Sequence, residues 1–324
     1  GAEIFRVEDS LYRMYKSYGF VKYDVYVIPS NIQVTVETPE GEIITQIRHI
    51  ESSEPNFDQL DYLNNLCRYV CQHTPDENEM REKYLEVINR EPQKRITRYA
   101  AGIMGGTGFA VFFGCNLRDA VIAFIVSVMI VAVGDWLAKR ESNLLVYNGI
   151  LAFISEVIII GALKMGIAEH PDRIMIGIVM LLISGLSTTN GIRDLLQRDF
   201  ISGFINIMNS FLGAAGIAFG IGLAIILFHE GYSDHFILNH SVPIQLLSCT
   251  VACTGFALWF KIRGKQVWYN SIGAFFTWAI YVAVYAVKPS NFVATMIAAG
   301  FVGFYAFIMS RVNKAPSTIF LTAS

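Results

Sequence analysis

The chain has 324 residues, of which 53% are hydrophobic and 16% charged, and its mean hydropathy is +0.44. Soluble globular chains carry about 25% charged residues, so the composition excludes an ordinary soluble protein and points to a lipid bilayer. A formal net charge of −2 offers nothing that nucleic acid would recognise.

The charges are unevenly placed. Acidic residues crowd the stretch before Pro92, whereas neither Asp nor Glu occurs from Ser241 to Ser324. A soluble domain followed by a membrane domain accounts for both facts. Within residues 1–97 the pattern is α+β. Ile4, Val7, Leu11, Met14 and Tyr18 recur at helical spacing, and Gly19 supplies a stop. Tyr23, Val25 and Val27 then alternate with polar residues, as do Ile32, Val34 and Val36, and next Ile43 with Ile47. Turn signals at Pro29-Ser30-Asn31 and Pro39-Glu40-Gly41 separate them, predicting a three-stranded antiparallel meander. A helix is expected from Phe57 to Gln72. Thr74-Pro75-Asp76-Glu77 reads as a capping box with proline at the first helical position, starting another helix that ends near Asn89. The cysteine pairs Cys67/Cys71 and Cys249/Cys253 lack further ligands at metal spacing and read as small apolar residues, so no metal or cofactor is implied.

From Arg98 onward come apolar runs near the ~20 residues that cross a bilayer. Eight spans are expected, at 99–115, 119–137, 144–163, 173–187, 201–228, 243–260, 267–287 and 291–310. Twelve Lys and Arg residues flank one side of this arrangement, including Arg95, Arg140, Arg198, Lys261 and Arg311, against four on the other: Arg118, Lys164, Arg173 and Lys288. Positive charge accumulates on the cytoplasmic face, which places the N-terminal domain in the cytoplasm.

The string Thr107-Gly108-Phe109-Ala110-Val111-Phe112-Phe113 returns 147 positions later as Thr254-Gly255-Phe256-Ala257-Leu258-Trp259-Phe260. Five spans run from the first copy up to the second, and an odd number of crossings reverses polarity. The expected architecture is therefore a polytopic α-helical membrane protein with an inverted repeat, the first unit at 98–228 and the second at 229–324. Five helices fall in the first unit and three in the second, so by repeat symmetry the second reads as truncated. The remainder would belong to this chain or to a second membrane subunit, and a homo-oligomer is equally compatible with the sequence.

Several polar groups stand out in this apolar background. Glu156 lies past the middle of the third span, where a carboxylate costs several kcal/mol unless paired, protonated or facing water. It reads as a proton-coupling group, as a counter-charge for a substrate ammonium, or as a protonated acid bonded to Asn148, Asn206 or another buried polar group. The fourth span ends in Ser187, Thr188, Thr189 and Asn190, followed by Asp194. A helix restarted there, with Thr189 or Asn190 as N-cap, would aim free amides at a substrate carboxylate; an ordinary turn is the alternative. Asn206 and Asn209 would line a polar path, and Thr107 and Thr254 offer hydroxyls. Gly216 and Gly220 fit a small-residue contact between helices. Asp135, beside Trp136, reads as an interfacial charge. The loop from His229 to His240 carries three histidines at no familiar zinc spacing. Glu156 and His170 would have to supply acid and base were the chain an intramembrane enzyme, but no nucleophile motif accompanies them. A membrane sensor, with the N-terminal domain reporting occupancy, is a further alternative.

Three groups of residues resemble the bacterial threonine/serine exporter family. They are Arg6-Val7-Glu8-Asp9-Ser10 with Tyr18-Gly19; Phe113-Gly114 with Asp119; and Asn190-Gly191-Ile192-Arg193-Asp194-Leu195-Leu196 with Asp199 and Ser202-Gly203. Ser184 stands where the family carries proline before Gly185, so a proline-broken helix is not implied. Arg311 and Pro316-Ser317-Thr318-Ile319-Phe320 match the start of the family's second domain. The resemblance implies export of a small-molecule solute, threonine or serine, across the bacterial inner membrane, driven by proton motive force, with Asp119 joining Glu156 as a coupling candidate. Similar proteins are implied in export of dicarboxylates such as succinate.

Overall fold

The computed structural model describes residues 3–38, 41–50, 55–183, 185–229 and 241–321. Pro39, Glu40, Ser184 and the histidine-bearing stretch 230–240 lie outside the described residues. The described residues are mostly helical and fall into two compact units. One joins Gly1–Pro92 to Gly185–Asn209, and the other joins Gln93–Ser184 to Ser210–Ser324.

The first unit opens with α1 (Ile4–Ser17), which Gly19 terminates with a left-handed φ of +79°. Strands β1 (Tyr23–Ile28), β2 (Asn31–Glu37) and β3 (Ile43–His49) form an antiparallel sheet in chain order, with Tyr23 opposite Val36 and Asn31 opposite His49. The helical and alternating patterns converge on one small core. Ile4, Val25 and Val27 are buried there, with Val7, Leu11 and Ile32 packed around them.

Two helices come next, α2 (Phe57–His73) and α3 (Glu77–Ile88). The expected capping box at Thr74 does not form. Thr74 closes α2 in a left-handed conformation, its amide bonded to Val70 O, so it is not free to cap α3. Asp76 takes that role instead, its side chain accepting from Glu79 N.

The remaining helices in chain order are α4 (Arg95–Phe112), α5 (Leu117–Leu137), α6 (Leu144–Lys164), α7 (Pro171–Leu182), α8 (Gly185–Leu196), α9 (Phe200–Phe228), α10 (Val242–Trp259), α11 (Lys265–Val287), α12 (Asn291–Asn313) and α13 (Ser317–Leu321). Six of them, α5, α6 and α9 to α12, are long and apolar enough to cross a membrane, and α7 with α8 counted as one interrupted span make a seventh. The expected eighth, α4, falls short of that apolarity. Four glycines and Arg95 and Arg98 dilute its hydropathy, although Gly102, Gly105, Gly106 and Gly108 are all buried.

The fourth span also differs from its expected course. The chain is extended at Ile183, with φ −74° and ψ 134°, and helix resumes at Gly185 rather than at Thr189 or Asn190. Thr189 Oγ1 donates to Gly185 O at 3.0 Å, a bond one turn back that lets the helix run through the hydroxyl-rich stretch.

In the second unit, α4 and α10 meet along small residues. A Cβ on Gly108 would lie 3.0 Å from Ala252, and one on Gly255 would lie 2.5 Å from Gly105 N. Contacts that pair rising numbers with falling ones make the two helices antiparallel. The α6 contact with the later part of α9 is the opposite case. A Cβ on Gly216 would lie 2.3 Å from Leu145 O and one on Gly220 2.3 Å from Gly149 O, so these helices run in parallel and the expected small-residue contact is present.

Helix starts in the second unit recur at the same interval as the repeated string. Shifting the starts of α4, α5, α6 and α7 by 147 positions lands within one residue of α10, α11, α12 and α13. Local chemistry recurs with them. Phe113, Gly114 and Cys115 close α4 through amides bonded to Phe109, Val111 and Ala110, and Phe260, Lys261 and Ile262 close α10 on Phe256, Leu258 and Ala257. Gly114 and Lys261 both take positive φ, +103° and +61°. Asn143 and Ser290, also 147 apart, are both N-caps.

Candidate functional site

The segment from Asn190 to Gly203 folds as a helical hairpin within the first unit. Asp199 caps α9, its carboxylate accepting from Ser202 N at 3.3 Å, while Arg198 turns the chain at φ +69°. Gly191 and Gly203 allow the two helices to touch, since a Cβ on Gly203 would lie 2.8 Å from Gly191 O. Beyond that contact Asn206 Nδ2 donates to Asp194 Oδ2 at 3.0 Å, and the Asp194 carboxylate is buried. The arginine just before Asp194, Arg193, pairs with Glu3, a residue only 6% exposed at the start of α1.

Between this hairpin, α1 and the β1–β2 turn lies a cavity of about 210 Å³. Ile4, Val7, Val27 and Ile32 form its apolar wall, and Ser187, Asn190 and Asn206 its polar edge. Asn190 is 7% exposed, and its Oδ1 is buried without a hydrogen-bond partner. The expected polar residues therefore divide. Ser187, Asn190 and Asn206 line it, with Asp194 behind them on Asn206, whereas Thr189 and Asn209 are exposed and Thr188 is not part of the lining. Sequence reasoning missed two nearby acids. Glu8 accepts Val27 N at 3.1 Å, and burial, reinforced by Asp199, raises its carboxyl above the ordinary range. Glu3 finds Arg193 across 190 positions of chain, a pairing that no local signal announces.

In the second unit, Glu156 is 1% exposed within α6. Asn148, one of its expected partners, donates Nδ2 to Gly213 O at 3.2 Å, and Asn206 donates to Asp194. Asp119 is fully buried at the start of α5. Its Oδ1 accepts the amides of Glu169 and His170 at 2.9 and 3.3 Å, and its Oδ2 meets His170 Nδ1 at 3.0 Å. That network fastens the α6–α7 turn onto α5, and it occupies the histidine that an enzymatic reading would need. Asp135 pairs with Arg98 at 2.8 Å. The repeated threonines differ: Thr254 Oγ1 bonds Thr250 O and Ser271 Oγ, while Thr107 Oγ1 is buried without a partner.

Comparison with known proteins bears on this arrangement. A family model described as "Putative threonine/serine exporter" matches residues 1–228, and one described as "Threonine/Serine exporter, ThrE" matches residues 245–324. The chain is similar to a threonine/serine exporter of Corynebacterium glutamicum, 24% identical over 230 residues that cover 68% of this chain and 46% of that protein. It thus spans about half the length of that curated relative. No solved structure matches. The hairpin of Asn190, Gly191, Asp194, Asp199 and Ser202-Gly203, which carries the resemblance, falls inside the first match. With more than half of its length under that model, the chain belongs to the threonine/serine exporter family.

Proposed function

We propose that the chain is a secondary transporter that exports a small amino acid, threonine or serine, from the cytoplasm at the expense of the proton motive force. The name of the Corynebacterium relative supports the solute. Residues 1–97 act as a cytoplasmic α+β domain, 98–228 as a first membrane repeat of inverted topology, and 229–324 as part of a second. The observation that carries this reading is the antiparallel contact of α4 with α10, in which Gly108 faces Ala252 while Gly255 faces Gly105. Moving 147 positions along exchanges the members of one contact for those of the other. Such reciprocal contacts are what a pseudo-twofold axis through an inverted repeat produces, and rocking one repeat against the other gives alternating access. The parallel run of α6 and α9 supports counting α7 with α8 as one crossing between them.

Glu156 is the proposed coupling group. A carboxylate buried in an apolar helix is expensive to ionise and therefore well suited to carry a proton across. The test is efflux of radiolabelled threonine from proteoliposomes under an imposed pH gradient. Wild-type efflux with loss in Glu156→Gln is expected. Undiminished efflux from that variant removes Glu156 from the mechanism, and labelled succinate leaving in place of threonine overturns the choice of solute.

A further inference from the structure

We propose that the α8–α9 hairpin holds a monovalent alkali cation, bound through Asn190, Asp194 and Ser202. The inference stands on the geometry of the first unit and needs neither the choice of solute nor a role for Glu156.

Three oxygens of the hairpin are buried without a hydrogen-bond partner: Asn190 Oδ1, Asp194 Oδ1 and Ser202 Oγ. Their residues are 7%, 1% and 0% exposed. Buried polar atoms are rarely left unpaired, and three within one hairpin point to a common partner that the chain does not supply. Spacing brings them to one seam. Asn190 and Asp194 are four apart on α8, and Ser202 and Asn206 are four apart on α9, so each pair shares a helix face. The bond from Asn206 to Asp194 and the close approach of Gly191 to Gly203 turn those faces toward each other. Ser202 also departs from the other buried serines. Ser127, Ser155, Ser248 and Ser271 each donate to the carbonyl one turn back, whereas the Ser202 hydroxyl makes no such bond.

Charge decides what the partner is. Arg193, the cation nearest to Asp194 in the chain, is held by Glu3, and among the described residues Asp194 makes no ion pair. The carboxylate lies in the last turn of α8, where the helix dipole is negative and disfavours an anion. Water would satisfy the hydrogen bonds and leave this charge uncompensated, whereas a cation does both. Carboxylate, amide and hydroxyl oxygens are ligands for hard cations. One carboxylate among neutral oxygens balances a single positive charge and leaves a divalent ion with an excess. Among the described residues no group of three His, Cys, Asp or Glu side chains could hold a metal ion, which argues against a transition metal. Asn190 and Asn206 also line the cavity of about 210 Å³, which gives an ion a route in and room for the waters that complete its shell.

The experiment is thermal unfolding of the full chain in lipid nanodiscs, in NaCl, KCl or N-methyl-D-glucamine chloride at equal ionic strength. A midpoint that rises with sodium or potassium concentration above the glucamine reference is expected, since an ion bound only by the folded state stabilises it. The two alkali arms tell the ions apart. Asp194→Asn is expected to abolish the rise, and Ser202→Ala to raise the half-effective concentration at least about fivefold. Glu77→Gln makes the same change of charge at an exposed position on α3 and is expected to behave as the wild type. Asp194 and Ser202 lie on different helices, so a folding defect in one variant leaves the other to decide. A wild-type midpoint that does not distinguish the alkali ions from glucamine overturns the site and leaves water or a proton in it. An alkali response that survives intact in either variant overturns it too, as does stabilisation by calcium chloride alone.

Discussion

Phe109 and Phe256, 147 positions apart, meet edge to face with ring centroids 5.5 Å apart. Each is the third residue of its copy of the repeated string, so the pair is its own equivalent under exchange of the copies. Around it the backbones approach closely because glycines and alanines line the contact. The same residues that lower the apolarity of α4 are what allow it to pack at the centre of the second unit.

That contact gives a first prediction. A methyl on Gly255 would sit 2.5 Å from Gly105 N and 2.9 Å from Ala101 O, both backbone atoms that cannot swing aside. Gly255→Ala is expected to destabilise by about 1–3 kcal/mol through overpacking. Gly300→Ala, with nothing within 4 Å of the added carbon, is the control and is expected to be neutral or stabilising. Thermal unfolding in matched detergent separates the two.

Glu8 gives a prediction of pH dependence. Its carboxyl is raised, first by burial, so the folded protein holds a proton that the unfolded chain has already released. The folded state binds more protons across that window, and the stability from this group is present at lower pH and declines as pH rises through the raised value. Glu8→Gln removes the titration while keeping an acceptor for Val27 N. It is expected to flatten the fall in unfolding midpoint between mildly acidic and neutral pH.

Glu3 and Arg193 can be tested by a double-mutant cycle. Glu3 is nearly buried and is left with the longer ion pair to Arg6 Nε at 3.9 Å, so Arg193→Ala weakens its compensation and is expected to cost about 2 kcal/mol. Glu3→Gln combined with Arg193→Ala is expected to recover part of that loss. A strictly additive double variant would show that the pair is not coupled.

How much of this was legible in the chain depends on whether the cause was local. The meander, α1 and the repeated string could be read directly, because alternation, helical period and sequence identity are local or self-evident. The break at Ile183 could not be read. A β-branched residue in an apolar run carries no turn signal, and Thr189 and Asn190, read as candidate N-caps, sit inside α8. Asn190, Asp194 and Asn206 were recognised as polar outliers, but their apolar counterpart, Val27 and Ile32 of the sheet, lies more than 150 positions away. Asp119 drew notice through the family motif alone, and its bonds to the α6–α7 turn were not foreseeable from spacing.

Asp119 therefore supports a structural prediction. Replacement by Ala removes the acceptor for the amides of Glu169 and His170 and is expected to cost about 2 kcal/mol, the low end of roughly 1–3 for each amide because both lie partly in reach of water. Asn keeps an oxygen for both amides and loses only the charge opposite His170, so Asp119→Asn is expected to retain most of the stability. Equal losses in the two variants would assign the effect to charge rather than to the backbone bonds. Hydrogen exchange at the α6–α7 turn reads the difference locally.

The antiparallel seam of α4 and α10 also makes a prediction about sidedness. The chain leaves α4 at Gly114 and leaves α10 at Lys261, and helices that run oppositely deliver those two ends to opposite faces of the membrane. Arg118→Cys and Lys261→Cys, each in a background cleared of the five native cysteines, place one thiol just beyond each end. In sealed cells a charged, membrane-impermeant maleimide is expected to label Arg118→Cys alone, and Lys261→Cys only after permeabilisation. Under the proposed orientation, the excess of positive charge around Lys261, Arg263 and Lys265 puts that end on the cytoplasmic side. Labelling of both thiols from the same side would mean that the two copies of the string traverse the bilayer in one sense. A seam of antiparallel helices cannot accommodate that result, so it would remove the inverted repeat and, with it, the rocking motion assigned to export.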